Sequence, residues 1–209
     1  MPFNIEELDR LIPEDLAEQK KDRLRNGLKQ FHSQNLSEAY SDFYSTADYS
    51  FFLQGDVVRE IRFPVFDFIS GEYSKGYFDA ILLSNTCDMD EGNQRNVKKN
   101  IIIAKVIPLQ NFIDELSSDP KIKNANEIAI QVKSQLFSNV LYLPPTIGDD
   151  NQEYIAFLDD IAWISIEELA NLKDGIDLNR LVSLDFLGYY LFVFKLSYHL
   201  LRLPEETHR

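Results

Sequence analysis

Three apolar runs in the middle of the chain predict a β-core. They occupy residues 57–63, 77–84 and 100–108, and they are dominated by β-branched and aromatic residues. A strand with one face in water alternates apolar and polar residues, whereas the second and third of these runs are almost continuously apolar. We therefore expect a sheet that is covered on both faces. Pro64 is predicted to end the first strand, and residues 67–76 are predicted to form a loop.

Helices are predicted on both sides of this core. A Pro-Glu-Asp sequence at residues 13–15 favours a helix start, and apolar residues then recur at near-helical spacing up to Phe31. Shorter helices are predicted near residues 37–44, 112–116 and 128–137. These helices would supply the cover that the apolar strands require.

Two more strands and a capped helix follow. The pattern indicates strands at residues 140–143 and 154–158, on either side of a turn rich in Pro, Gly and Asp. Ser165 and Glu168 form a capping-box pattern, in which the serine accepts a hydrogen bond from a free amide at the helix start. This pattern predicts a helix through about residue 172.

The last predicted helix, about residues 184–203, is apolar around most of its circumference. Its polar positions Lys195, His199 and Arg202 are spaced by four and three residues, so we expect them to form one narrow solvent-facing or interfacial stripe. Charges inside this segment would be costly in hydrocarbon, which argues against a membrane span. Such a helix is either buried in the domain or shared with a partner.

Together these elements predict an α+β fold. We expect a small, mostly antiparallel β-barrel or curled sheet, wrapped by N-terminal helices and closed by a long apolar C-terminal helix. The predicted regions are a helical extension at residues 1–50, a β-core with a helical insertion at 51–163, and a C-terminal helical region at 164–209. No segment with linker composition separates them, so we expect one structural unit.

Charge and cysteine content narrow the functional classes. The chain has 34 acidic and 21 basic side chains and a net charge of -13, which disfavours a nucleic-acid partner because polyphosphates are repelled at long range. A single cysteine excludes a disulfide-stapled secreted fold and a four-cysteine zinc site. The first ten residues lack the basic start and apolar run of a signal peptide. We expect a cytoplasmic protein without a membrane partner.

The order of the central segments resembles the MazF/PemK family of RNA-cleaving toxins, which have a small SH3-like barrel and are paired with antitoxins. A Gly-Asp pair opens the first strand at residues 55–56, and Pro64 follows it. An Ala-Ile-Leu-Leu-Ser strand comes second at residues 80–84, and the third strand ends at Pro108. The resemblance covers residues 54–108, and it implies an SH3-like barrel and a role in a toxin–antitoxin or phage-defence system.

The chain departs from this family where the chemistry would lie. The resemblance implies an arginine just before the second strand, where it can stabilise charge on the scissile phosphate. Here that place holds Tyr77, Phe78 and Asp79. The nearest arginines, Arg59 and Arg62, are predicted to lie on opposite faces of the first strand, because strands have a period of two. We therefore expect a barrel retained for binding and without RNA-cleaving activity.

The loop after the second strand supports an alternative hypothesis, in which the protein is an enzyme. It presents a hydroxyl, an amide, a thiol and several carboxylates at the end of a buried strand, where functional loops often lie. A divergent endoribonuclease toxin or a metal-dependent hydrolase would use the residues Cys87, Asp88, Asp90 and Lys98. A cysteine nucleophile would also need a histidine base, and the histidines are distant in sequence.

No metal or cofactor motif is complete. The loop lacks the twelfth-position glutamate of a calcium loop, because Lys99 stands there. The carboxylate-x-lysine pattern of magnesium nucleases is broken, because Ile103 stands two residues before Lys105. We expect no cofactor.

The leading hypothesis is a protein-interaction or regulatory module. Aromatic side chains are favoured anchors at protein contacts, and the C-terminal helix is rich in them. We expect a protein partner, or a second copy of the chain, to bind through this helix. The residues predicted to make that contact are Tyr189, Tyr190, Phe194, His199 and Arg202.

Overall fold

The structure is a computed structural model, and it describes residues 11–31, 36–67, 69–90, 100–146, 151–170, 172, 176 and 179–201. The described residues form an α+β fold. The strands are β1 (Val57–Asp67), β2 (Glu72–Leu82), β3 (Asn100–Pro108), β4 (Val140–Leu143), β5 (Tyr154–Ser165) and β6 (Arg180–Val182). The helices are α1 (Glu18–Gln30), α2 (Leu36–Ala39), α3 (Thr86–Met89), α4 (Leu109–Ser118), α5 (Ala125–Lys133), α6 (Ile166–Ala170) and α7 (Phe186–Leu201).

The six strands form one antiparallel sheet in the order β4-β5-β3-β2-β1-β6. The predicted class and the predicted antiparallel sheet are confirmed, and the three central strands are neighbours. The sheet is open, with β4 and β6 at its edges. In a flat sheet β1 and β5 would lie about 14 Å apart, since two strands separate them. They nevertheless contact each other, so the sheet is curled.

The first hairpin is longer than predicted. Pro64 does not end β1, because it pairs with Lys75 in a ladder that continues to Asp67. Half of the predicted loop at residues 67–76 is therefore the start of β2, which begins at Glu72. Proline is tolerated here because β1 pairs with β6 only at Val57 and Val58, so the other edge of β1 needs no amide donor at residue 64.

A β-bulge in β1 overturns the predicted placement of its arginines. The ladder shifts register at Glu60, whose φ is 54°. Arg59 and Glu60 both lie opposite Asp79, and Arg62 lies opposite Tyr77. Asp79 and Tyr77 are two residues apart on β2 and share a face, so the two arginines lie on the same face and not on opposite faces.

Later elements follow the predicted pattern with two differences. The β4–β5 hairpin is present, and the Ser165 hydroxyl accepts a hydrogen bond from the Glu168 amide at 3.2 Å. However, β5 continues well beyond residue 158, and the three-residue strand β6 was not predicted. Among the described residues, no helix combines the length and the apolar composition needed to cross a bilayer.

One face of the sheet packs against α1 and α7 in the largest core. Leu24, Leu28 and Phe31 are buried there, as their helical spacing predicts. The helix α7 contributes Leu191 and Phe192 to the same core. The sequence left open whether the apolar C-terminal helix is buried in the domain or shared with a partner. The described residues of α7 pack into the domain.

The predicted exposed stripe on α7 is wrong at Lys195, which is fully buried. Its Nζ donates to the carbonyl oxygens of Phe137 at 2.5 Å and Val140 at 2.6 Å. These carbonyls flank the start of β4, and the amine satisfies them where no water reaches. Arg202 lies outside the described residues.

The opposite face of the sheet is covered by two smaller cores. In one, Phe63 of the first hairpin packs with Ile101 and Ile164, because the curled sheet brings the hairpin over β3 and β5. In the other, α4 and α5 cover β4 and the start of β5 through residues such as Leu109 and Val132. The apolar strands thus have buried residues on both faces, although Ile102, Ile161 and Trp163 stay exposed on one of them.

The Gly-Asp pair that opens β1 has a structural role. Gly55 has φ +90°, and the side chain of Asp56 is buried. The Arg180 Nε lies 3.0 Å from Asp56 Oδ2, and the Ser183 hydroxyl donates to Asp56 Oδ1 at 2.6 Å. Arg180 also donates to the carbonyl of Tyr49 at 2.9 Å, so it fastens the segment before β1 to β6.

Replacing Gly188 with alanine is expected to destabilise the fold by about 1–3 kcal/mol, although alanine normally favours a helix. A Cβ at this position would lie 2.5 Å from the backbone carbonyl oxygen of Phe43, which cannot move aside without shifting the chain. Gly27→Ala is the matched control, because its Cβ would meet only the end of the Leu187 side chain. Urea unfolding followed by circular dichroism should rank Gly188→Ala well below Gly27→Ala, and equal stabilities would contradict the packing described here.

Candidate functional site

The loop predicted to carry the enzymatic alternative is described only as far as Asp90. Cys87 and Asp90 are exposed on and after the short helix α3, and Asp88 is half-buried. Lys98 lies outside the described residues. Among the residues that the structure describes, no three His, Cys, Asp or Glu side chains come together as metal ligands.

The residues predicted as anchors on the C-terminal helix are largely engaged within the domain. Phe194 is buried, and its ring lies 5.8 Å from that of Tyr190. The Tyr189 hydroxyl donates to Gln54 Oε1 at 3.0 Å, and burial raises the pKa of this tyrosine. His199 is half-buried in the last turn of α7. Partner binding through this helix stays a prediction, with most of its aromatic surface already packed.

A cleft that the sequence did not predict lies between the first hairpin and the end of β5. We call it the arm cleft, and its volume is about 390 Å³. The curled sheet forms it by bringing the β1–β2 hairpin towards β5 and α6. It is lined by Arg62, Phe63, Tyr73, Ser74, Lys75, Trp163, Ile164, Ser165 and Glu168.

The arm cleft has an apolar floor and an aromatic rim. Phe63 and Ile164 form the floor, and each is only 5% exposed. Tyr73 and Trp163 stand at the rim with 76% and 65% of their surfaces exposed. The Tyr73 ring packs against Phe66, with 4.9 Å between the ring centroids, which restricts its orientation. Large, oriented aromatic rings beside a buried apolar floor are typical of a binding site.

Apolar surface continues from the rim along the outer face of the sheet. Ile102 lies directly opposite Trp163 in the β3–β5 ladder, and it is 46% exposed. Ile161 lies two residues before Trp163 on the same face and is 41% exposed. Contiguous exposed apolar side chains of this kind mark interaction surfaces in soluble proteins.

The charge of the arm cleft differs from that of the whole chain. Arg62 and Lys75 line it from one face of the hairpin, and Glu168 is the one carboxylate among its lining residues. Within the described residues, neither Arg62 nor Lys75 has a salt-bridge partner. In a chain with a net charge of -13, this cleft is a local site that favours an anionic group.

Part of one edge of β5 has no partner among the described strands, and this part borders the arm cleft. The strand β4 pairs with β5 only from Tyr154 to Phe157, and the Leu158 amide donates to the Asn139 carbonyl. Beyond Leu158, the described strands pair with β5 only on its β3 side. Among the described strands, residues 160–165 of β5 therefore have no partner on the edge that borders the cleft, which we call the free edge of β5.

A second cavity, of about 330 Å³, lies beside the predicted catalytic loop. Its described lining is apolar except for Ser50 and Asp90, and it includes Phe52, Met89 and Leu169. Two of its lining residues, Asp90 and Leu172, are next in sequence to residues that the structure does not describe. It supports no functional assignment.

No protein-family model matches the chain, and no curated protein sequence is significantly similar to it.

Proposed function

We propose that this protein is a cytoplasmic protein-interaction module that binds a polypeptide partner in the arm cleft. The observation that carries the proposal is the exposure of Tyr73 and Trp163 above a buried apolar floor. Tyrosine, tryptophan and arginine dominate the energetics of protein contacts, and Arg62 lines the same cleft. The proposal keeps the interaction role expected from the sequence and assigns it to a different surface.

The resemblance to the MazF/PemK family supports a regulatory setting for this module. A role in a toxin–antitoxin or phage-defence system stays a prediction of that resemblance. The cleft chemistry fits a barrel-like sheet retained for recognition, since its rim offers aromatic and cationic side chains. The enzymatic alternative at Cys87, Asp88 and Asp90 has no described arrangement of groups in its favour.

The proposal predicts that a crosslinker placed in the arm cleft captures a partner, and that one placed at an equally exposed position outside the cleft does not. A photoreactive phenylalanine analogue at position 73, introduced into the full chain in its native host, should capture a discrete polypeptide on irradiation. Ile130 is the matched control, because it is 64% exposed on α5 and lies outside the cleft. A crosslink from position 73 that is lost with Trp163→Ala supports the proposal. Equal crosslinking from position 130, or none from position 73, contradicts it.

The enzymatic alternative has its own assay. Purified protein incubated with RNA, with and without magnesium, should produce no specific cutting. Specific cutting that disappears in Asp88→Ala would overturn the interaction-module proposal.

A further inference from the structure

We infer that the arm cleft binds its partner as an extended acidic segment that adds a strand to the free edge of β5. This inference rests on the proposed function and names the chemistry of the bound segment. Adding a strand to an exposed sheet edge is a recurrent mode of peptide recognition, with main-chain hydrogen bonds for affinity and side-chain pockets for specificity.

The end of β5 lacks the features that normally protect a free strand: its pairing with β3 shifts register at residues 157–160, but it is regular from Ile161 to Ser165. Natural edges carry lysine, proline, bulges or inward charges that discourage pairing. The last five residues of β5, Ile161–Ser165, contain no charged residue and no proline. The charges that precede them are engaged, since Asp159 Oδ2 accepts from Asn139 at 2.9 Å and Asp160 lies 4.0 Å from Lys105.

The edge of β1 is a poorer template for an added strand. Each strand has a register shift, at Glu60 in β1 and at residues 157–160 in β5, so the bulge does not distinguish the two edges. Pro64, however, lies in the middle of the segment of β1 that lacks a second partner strand, and a proline interrupts a regular ladder. Of the two free edges that border the cleft, β5 is therefore the one that accepts a strand.

The cleft supplies a site for a side chain of the added strand. Neighbouring residues of paired strands point to the same face. The residue placed beside Ile164 would point inward, onto the floor that Ile164 forms with Phe63. Its neighbours would point outward, beside Trp163. An apolar residue fits the inward position, because both floor residues are buried.

Charge selects an acidic segment. Arg62 and Lys75 line the cleft and have no salt-bridge partner among the described residues. The rest of the chain is strongly acidic and would repel such a segment, so attraction is concentrated at the cleft. A single-stranded nucleic acid would also meet cations and aromatic rings here. It cannot pair with a strand edge, however, and its phosphates would meet a net charge of -13.

Trp163 provides the readout, because it is the only tryptophan in the chain and stands at the rim. The probe is a library of short random peptides displayed on phage and selected on the full chain, followed by synthesis of the selected peptides. We expect acidic peptides with alternating apolar residues, and a shift of the Trp163 emission to shorter wavelengths on binding.

Two further measurements test the binding mode. In an added strand, only every second backbone N–H of the peptide faces β5 and donates to it. N-methylation of those residues of a selected peptide should abolish binding, and N-methylation of the residues between them should leave binding intact. Lys75→Glu should weaken binding about tenfold. Lys123→Glu, the same charge change at an exposed position outside the cleft, should leave binding unchanged.

The outcomes separate this inference from the proposed function. Peptides that shift the Trp163 emission but tolerate N-methylation of both sets of residues would overturn strand addition and leave a polypeptide-binding cleft. Peptides without acidic residues, or equal effects of Lys75→Glu and Lys123→Glu, would overturn the acidic assignment. Failure to select any peptide, together with an emission shift on adding single-stranded RNA, would overturn both the inference and the proposed function.

Discussion

Replacing Arg180 with methionine is expected to lower the free energy of unfolding by about 3–5 kcal/mol. Only 9% of the Arg180 side chain and 1% of the Asp56 side chain are exposed, and their charged atoms lie 3.0 Å apart. Removing the guanidinium leaves a buried carboxylate with hydrogen bonds from the Leu53 amide and the Ser183 hydroxyl but no opposite charge. It also leaves the carbonyls of Tyr49 and Phe51 without this donor.

Urea unfolding followed by circular dichroism measures this effect. Arg62→Met is the matched control, because Arg62 lies on the same sheet and has no salt-bridge partner among the described residues. Adding Asp56→Asn to Arg180→Met should recover part of the loss, because the double variant no longer buries an unpaired charge. A loss below about 1 kcal/mol for Arg180→Met would place the pair among the weak surface ion pairs and contradict its structural role.

The stability of the protein should rise between pH 7 and pH 9 by up to about 1.4 kcal/mol per pH unit, through Lys195. Burial holds the pKa of the Lys195 amine well below its ordinary value of 10.5. Between these two pKa values the unfolded state binds the additional proton, so raising the pH favours the folded state. Lys195→Met removes the amine and should flatten this dependence.

Lys123→Met is the comparison for this prediction, because it removes a lysine from the surface and should keep the slope. The measurement stays below pH 10, because burial raises the pKa of Tyr40 and Tyr142, and ionisation of the unfolded tyrosines would then lower stability. A wild-type stability that is flat or falls from pH 7 to pH 9, or a Lys195→Met variant with the wild-type slope, would show that the buried amine does not control this dependence.

Local sequence pattern was sufficient for the central strands and the first helix. Residues such as Ile81, Ile103 and Leu28 are apolar because the faces on which they lie are covered, and this burial leaves a periodic trace in the sequence. The helix cap at Ser165 also depends on nearby residues only, since its hydroxyl accepts a hydrogen bond from the amide three residues later. These features could be predicted because their causes lie within a few residues.

The failures have causes that lie far apart in the chain. Pro64 is tolerated because no described strand pairs with the other edge of β1 at that point, which depends on where β6 ends. Lys195 is spaced like a surface residue, yet it is buried against carbonyls more than one element away. The spacing of apolar and polar residues along the chain does not show which distant segments will pack against a given residue.

The arm cleft was missed for the same reason. Tyr73 and Trp163 come together only because the sheet curls. The sequence pattern predicted a strand only at residues 154–158, so it did not place Trp163 on a strand, although Ile161 and Trp163 lie exposed on the second half of β5. A tryptophan in a strand indicates a binding surface only when its exposure to solvent is known.

The most direct test of the binding cleft is the emission spectrum of Trp163 when the partner captured from position 73 is added in purified form. The proposal predicts that the emission shifts to shorter wavelengths in step with complex formation, because the partner covers the rim of the arm cleft. A complex that forms while the emission of this sole tryptophan stays unchanged would contradict the proposal, since the partner would then bind elsewhere on the protein.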